Sequence, residues 1–484
     1  MIFTTPAFVL FFCAFFWLWT LTEGRLRKWI LLLASYIFYG SWNPNFLLLI
    51  ILSTWVDYTV GRRLEQTEDS KTRKRLVTLS VFVNLGTLAV FKYFNFFVDS
   101  AIQGLTAMGL TAPTLSLEII LPVGISFYTF QTMSYTIDIY RREMKATRDP
   151  LDFAIYVAFF PQLVAGPIER AKRLLPQIES IQKGANYDST GWGLIAIGCF
   201  KKVVIADNLA HFVDAVYSNP SGVYGPALWF ATYAFAIQIY CDFSGYSDIA
   251  VGLARLLGIQ LIQNFEAPYA ATSPSDFWRR WHISLSTWLR DYLYIPLGGN
   301  RGTRWLTYRN LMLTMLLGGL WHGAAWNFIL WGAWHGLLLA LFRLYQTRRS
   351  ASRPMQPQNS AISTMLKRLL FFHLVCFGWA LFRAESLSDC GVLLSGLITV
   401  WDWQWVAWVQ AVTASGIGGS LVVGAIACAL MLTMQWVYPI GSNGLVIQIW
   451  RLPKPAIFIF ITVCLYCVTL AAPEQAPPFI YFQF

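Results

Sequence analysis

The chain has 484 residues, of which 56% are hydrophobic, 17% aromatic and only 13% charged, about half the charge of an ordinary soluble domain. Apolar runs near 20 residues recur from one end to the other, which excludes a soluble globular protein and predicts an all-α polytopic membrane protein. The alternating ten-residue segments of a transmembrane barrel are not seen. The net charge of +11 sits in short loops between the runs, so it reports positive-inside topology and not a nucleic-acid partner.

The first run, about 3–21, lacks a basic leader and a small-residue cleavage site and is followed by Arg25, Arg27 and Lys28. It reads as a retained helix with a periplasmic N-terminus and a cytoplasmic far end. A second run covers about 29–40, Gly40 to Pro44 breaks it, and a third covers about 45–60. The next loop is expected to be cytoplasmic and solvated, with Arg62, Arg63, Lys71, Arg73, Lys74 and Arg75 outnumbering Glu65, Glu68 and Asp69. After a run at about 76–98 comes the stretch 117–140, where Pro122 and Gly124 predict a kink or a broken helix. Residues 151–165 are too short and, with Pro161, Pro167 and Pro176, too interrupted to span, so a re-entrant or interfacial piece is expected.

Runs at about 190–217 and 224–258 carry Lys201, Lys202, Asp207, Asp242 and Asp248. Carboxylates in apolar helices are functional or paired. A spacing of six puts Asp242 and Asp248 on different faces, and pairing with nearby arginines is expected. Farther on, Ser273 to Asp276 reads as a helix start, and 277–295 as an amphipathic helix at an interface or beneath the bundle. Gly298-Gly299-Asn300 is a turn. A long run from about 310 to 345 contains Gly318, Gly319, Gly323 and Gly332, which allow close helix approach or a break in mid-membrane. A polar linker at 347–362 is expected to be cytoplasmic and flexible. Runs at about 363–382, 388–410, 414–438 and 455–472 lead to the tail PEQAPPFIYFQF. The total is about eleven spanning segments with one or two re-entrant or interfacial pieces, in a single integral domain over 1–484 whose catalytic core lies at about 117–345.

The stretch from Phe277 to Gly336 concentrates the chemistry. Three of the chain's five histidines, His282, His322 and His335, fall here, next to Arg279, Arg280, Arg290, Asp291 and Arg301. A histidine in apolar surroundings stays neutral and serves as a proton acceptor. His322, in GGLWHGAAWN, has glycines on both sides that let a substrate reach the ring, and it is the candidate base. His282 is open between holding a substrate, bonding a carbonyl and orienting its helix, whereas His335 reads as structural. No two of the three have the i, i+3 or i, i+4 spacing of a helical metal pair, so no metal site is expected. There is no nucleophile elbow and no phosphate-cradling glycine loop. The eight cysteines lie mostly within apolar runs, and Cys464-x-x-Cys467 reads as packing. A transporter or flippase of an envelope polysaccharide or lipid intermediate is the rival class, but no internal repeat supports it.

FWRRWHISLSTWLRDYLYIPLGGNR followed by GGLWHG resembles the signature of the membrane-bound O-acyltransferase family. IYCDFSGYSDIAVGLARLLG, ISFYTFQTMSYTIDIYR and PFIYFQF extend the likeness over most of the chain, toward bacterial members that O-acetylate exported polysaccharides such as alginate or cellulose. The resemblance implies a ring of helices around a central tunnel in the inner membrane. It implies His322 as the catalytic histidine and His282 at the second family position. Arg279, Arg280, Trp281, Arg290, Asp291, Trp321 and Asn327 are the candidate substrate-binding set. It further implies a cytoplasmic thioester donor, either acetyl-CoA or an acyl-carrier thioester, no bound cofactor, and a periplasmic partner protein that passes the acyl group to the polymer.

Overall fold

The computed structural model describes residues 1–111, 117, 119–181, 187–218, 225–352, 360–399, 418–473 and 479–480, and every element among them is helical. In chain order these are α1 (Pro6–Leu21), α2 (Gly24–Gly40), α3 (Leu47–Gln66), α4 (Ser70–Leu88), α5 (Phe94–Ala107), α6 (Ile125–Tyr140), α7 (Pro150–Ala158), α8 (Phe160–Leu163), α9 (Ala171–Glu179), α10 (Thr190–Cys199), α11 (Asp207–Tyr217) and α12 (Gly225–Leu256). There follow α13 (Pro274–Trp278), α14 (Ile283–Leu289), α15 (Arg304–His322), α16 (Trp326–Ser352), α17 (Ala361–Arg383), α18 (Leu387–Thr399), α19 (Gly418–Val437), α20 (Ser442–Ile449) and α21 (Lys454–Ala471). Among the described residues five helices are long and apolar enough to cross a membrane, or six if the bent pair α19 and α20 forms one span. This is a multi-pass membrane protein. Residues 353–359 of the 347–362 linker, all of 400–417, and residues 474–478 and 481–484 of the terminal motif lie outside the described residues.

The chain forms two compact units, Met1–Ile195 with Ile249–Ile262, and Ala196–Asp248 with Gln263–Phe484. In the first, α1 starts where the Thr5 hydroxyl accepts from the Phe8 N–H and Pro6 supplies a preset φ. Its Phe8, Phe12 and Phe15 are buried, Phe8 and Phe15 against Phe160 and Phe8 also against Phe38. The basic loop expected after α3 is only Thr67 to Asp69. Arg62 and Arg63 stay on α3, while Lys71, Arg73, Lys74 and Arg75 stay on α4. Arg73 is not solvated. Buried, its guanidinium donates to the carbonyls of Leu64, Thr67 (3.1 Å), Ile139 (3.0 Å) and Tyr140 (2.9 Å), which caps the ends of α3 and α6.

Deeper between these helices, Asp57 accepts from Ser80 Oγ (2.5 Å) and Asn84 Nδ2 (2.8 Å). Ser53 and Thr132 then donate to Asn84 Oδ1, each at 3.1 Å. The Pro122–Gly124 signal marks a helix start, not a kink. Gly124 has φ +76°, and a Cβ there would meet the Leu163 carbonyl oxygen at 2.6 Å. α7, α8 and the α9 entry are too short to span, and their apolar residues are buried, as the prolines require.

In the second unit α10 runs into α11 through a π-helical segment, Phe200–Ala206, that carries Lys201 and Lys202. The aspartates of α12 pair with these lysines and not with arginines. Lys202 Nζ is 2.8 Å from both Asp242 and Asp207, and Lys201 Nζ is 2.9 Å from Asp248. The reason is distance in sequence: the extra residue of a π-turn aims two successive lysines at carboxylates about forty residues away.

The long apolar run around His322 is a helical hairpin. α15 ends at His322 and α16 begins at Trp326. Glycines make the contact possible, since a Cβ on Gly319 would lie 2.1 Å from the Phe328 carbonyl oxygen, and one on Gly332 would lie 2.3 Å from that of Met315.

Candidate functional site

The expected amphipathic helix at 277–295 does not form as one piece. α13 starts as foreseen, with Ser273 Oγ accepting from the Asp276 N–H at 3.3 Å. It stops after one turn, and His282 adopts φ +42°, ψ +55° before α14 begins. Left-handed backbone at a bulky residue is strained, and it persists only where surroundings hold it. Asn264 supplies the hold. Its carbonyl accepts from Ile283 N at 2.9 Å, and its side-chain oxygen accepts from Ser284 N (3.2 Å) and Ser284 Oγ (2.8 Å). The segment is also buried, with Phe277, Trp281, His282 and Trp288 all in the core.

His282 Nδ1 lies 3.3 Å from the same Asn264 oxygen. That oxygen already takes two donors and has no hydrogen to give, so Nδ1 carries the proton and Nε2 keeps the lone pair. Desolvation pushes the imidazole down to about 3, which keeps it neutral at every physiological pH. Phe243 of α12 stands edge-on to its ring at 4.7 Å.

The hairpin presents His322 to this residue. The two imidazole centroids are 6.4 Å apart, and Trp321 is in contact with both, at 5.9 Å from His282 and 5.0 Å from His322. Trp331 and Phe382 complete the walls around His322, with their rings edge-on at 5.1 and 5.6 Å. Two buried imidazoles thus stand close together, walled by indole and phenyl rings.

The remaining predicted residues separate. Trp321 belongs to the compartment. Trp281 is a core residue, stacked on Phe277 at 5.6 Å and tilted on Trp379 at 4.8 Å. Asn327 donates to the Ala384 carbonyl at 2.7 Å and the Phe382 carbonyl at 3.4 Å, which fastens the end of α17 beside His322. Arg280 is bonded to Asp276 at 2.9 Å. Arg290 and Asp291 pair with each other at 2.6 Å, and Arg279 is exposed. The arginine block thus holds two local ion pairs, with Arg279 and Arg301 exposed beside them.

His335 is buried against Trp278 (5.1 Å) and Trp331 (4.8 Å) and packs beneath the His322 wall, in keeping with a structural role. Asn264, Phe243, Trp331 and Phe382 escaped the sequence reading. Asn264 carried a weak signal as a polar residue between apolar stretches, and the other three carried none. Among the described residues no three His, Cys, Asp or Glu side chains could share a metal ion.

A model of the membrane-bound O-acyltransferase family matches residues 41–378. The chain is 44% identical over 405 residues to the probable alginate O-acetylase AlgI of Azotobacter vinelandii, covering 83% of this chain and 79% of that protein. It is 36% identical over 434 residues to the peptidoglycan O-acetyltransferase of Helicobacter pylori, covering 82% and 80%. To the teichoic acid D-alanyltransferase of Bacillus subtilis it is 30% identical over 281 residues, covering 54% and 69%.

Proposed function

The chain belongs to the membrane-bound O-acyltransferase family, and from that premise we propose that it carries acetyl groups from a cytoplasmic thioester, acetyl-CoA, across the inner membrane for O-acetylation of an exported polysaccharide such as alginate. The observation that carries this reading is the buried pair His282 and His322, 6.4 Å apart at the family's motif positions. The relatives named above acylate cell-envelope polymers, and their names supply the polymer class.

In the proposed step His322 takes the proton of an acceptor hydroxyl as its oxygen bonds to the thioester carbonyl carbon. Collapse of the tetrahedral intermediate breaks the C–S bond, and the departing thiolate receives the proton from the imidazolium. Proton transfer of this kind contributes about 10²–10⁴ in rate. His282 Nε2, neutral and fixed by Asn264, holds the acceptor or the acyl group against its neighbour. The indole N–H of Trp321 steadies the oxyanion, and Arg279, with the Arg280 and Arg290 pairs, receives the donor's phosphates. A periplasmic protein is the immediate acceptor, and the N-terminus lies on that same side.

The test is consumption of labelled acetyl-CoA by wild-type protein and by His322→Ala in inverted membranes. A roughly thousandfold loss in the variant supports the mechanism. Equal rates overturn it, and no consumption by either chain overturns acetyl-CoA as the donor.

A further inference from the structure

α4 turns its polar side inward. Arg73, Ser80 and Asn84 are buried in the first unit, where they cap α3 and α6 and hold Asp57. Its outer side follows the i, i+3, i+4, i+7, i+8, i+11 stripe of one helix face. Lys71, Lys74, Arg75, Thr78, Leu79 and Phe82 lie along it and line a groove of about 540 Å³.

Charge and apolar surface are segregated within that groove. The three cations occupy its upper end, at the start of the spanning segment Ser70–Ala107. Below them Leu79 and Phe82 are exposed, Phe82 by 73%. Seven residues separate Arg75 from Phe82, about 10 Å along the helix axis, which is the step from a headgroup to the first part of an acyl chain.

The cations are exposed, and only Arg75 feels a carboxylate, that of Asp69, at longer range. None of the three has a carboxylate within ion-pair distance among the described residues. The nearby Asp69 is engaged by the Thr72 N–H and hydroxyl at 2.8 and 2.6 Å. Lys71 also lies in the first turn of α4, where the helix dipole disfavours positive charge. An anion placed among them relieves both costs.

We propose that this face binds an anionic glycerophospholipid, its phosphate held by Lys71, Lys74 and Arg75 and its acyl chain laid over Leu79 and Phe82. A free phosphate would leave the apolar half of the groove unused. An acidic protein would need Leu79 and Phe82 in water, whereas they continue into the spanning segment. The basic end of a spanning helix is where anionic leaflet lipids are attracted, at about a fivefold gain per basic residue.

The test uses the full chain purified in neutral detergent, with retained lipid read by native mass spectrometry after addition of phosphatidylglycerol or phosphatidylcholine. Phosphatidylglycerol is expected to be retained preferentially. The triple variant Lys71→Gln, Lys74→Gln, Arg75→Gln is expected to lose that preference by roughly a hundredfold. The pair Leu79→Ser, Phe82→Ser keeps the charges and is expected to weaken retention severalfold. Equal retention of both lipids by wild type overturns the proposal. So does displacement by soluble glycerol phosphate with no effect of the Leu79 and Phe82 changes, which identifies a free-anion site. Melting temperature checks that both variants fold, and these side chains are exposed.

Discussion

The second unit buries two sets of titratable groups, and they are built on opposite principles. Around Lys202 the carboxylates share one ammonium. Asp207 and Asp242 each lie 2.8 Å from its ammonium, and the second Asp242 oxygen accepts the Ile480 N–H at 2.9 Å. Around His282 and His322 the walls are aromatic rings, and burial holds the His282 imidazole well below its ordinary range. Closed ionic clusters fix backbone positions, since any change leaves a bare charge in a dry place. Neutral nitrogens in an aromatic compartment are poised to exchange protons. One residue step along α12 joins the two, because Asp242 is locked by Lys202 while Phe243 bears on His282.

The comparison breaks most visibly if either set is exchanged for the other's behaviour. His322→Ala is expected to abolish transfer, about a thousandfold or 4 kcal/mol in barrier, with the melting temperature near wild type. Lys202→Met strands two buried carboxylates and is expected to cost about 3–5 kcal/mol of stability, read as a large drop in melting temperature. Much of that is regained in the triple variant that also carries Asp207→Asn and Asp242→Asn. If Lys202→Met melts like wild type and instead loses transfer, the ionic cluster is part of the chemistry and the contrast fails.

Smaller effects sharpen the picture. Asn264→Ala removes the acceptor for Ser284 and His282 and is expected to cost about 1–3 kcal/mol, with transfer falling further than stability alone explains. His282→Gln is expected to slow transfer yet leave the acid limb of the pH–rate profile in place. The imidazole, pushed down to about 3, does not titrate where activity is measured. A shifted acid limb would contradict its neutrality.

The smallest effect belongs to the first unit. Burial raises the Glu169 carboxyl to about 7, against the opposing pull of Arg173. The folded state therefore holds this proton more tightly than the unfolded chain. Stability from this group is full below the ordinary carboxylate range and is lost as pH climbs to about 7. Glu169→Gln is expected to flatten that part of the melting-temperature profile.

The sequence made helices and membrane character legible because both depend on runs of neighbouring residues. His322 was legible for the same reason, since glycine and tryptophan flank it directly. His282 was visible as a residue but not as a break in its helix. That break depends on Asn264, eighteen positions earlier, and φ > 0 remains uncommon even at histidine. The expected arginine partners of Asp242 and Asp248 failed similarly. Arginine is the usual fork for a carboxylate, but a π-turn placed two lysines there first. Among the proposed substrate arginines, nothing in the sequence separated those already paired with Asp276 and Asp291 from the exposed Arg279.

The glycine seam between α15 and α16 has one more implication. His322 is the last residue of α15, and Gly319, one turn before it, lies against the backbone of Phe328 with no room for a methyl group. The location of the imidazole is therefore dictated by main-chain spacing, so reactivity here is held in the hydrogen atoms of glycine. On the proposed mechanism, a single added carbon at Gly319 would act as a lever on the proton-transfer distance. Catalytic tuning by mutation is then expected to arise along this seam as readily as in the rings that line the compartment.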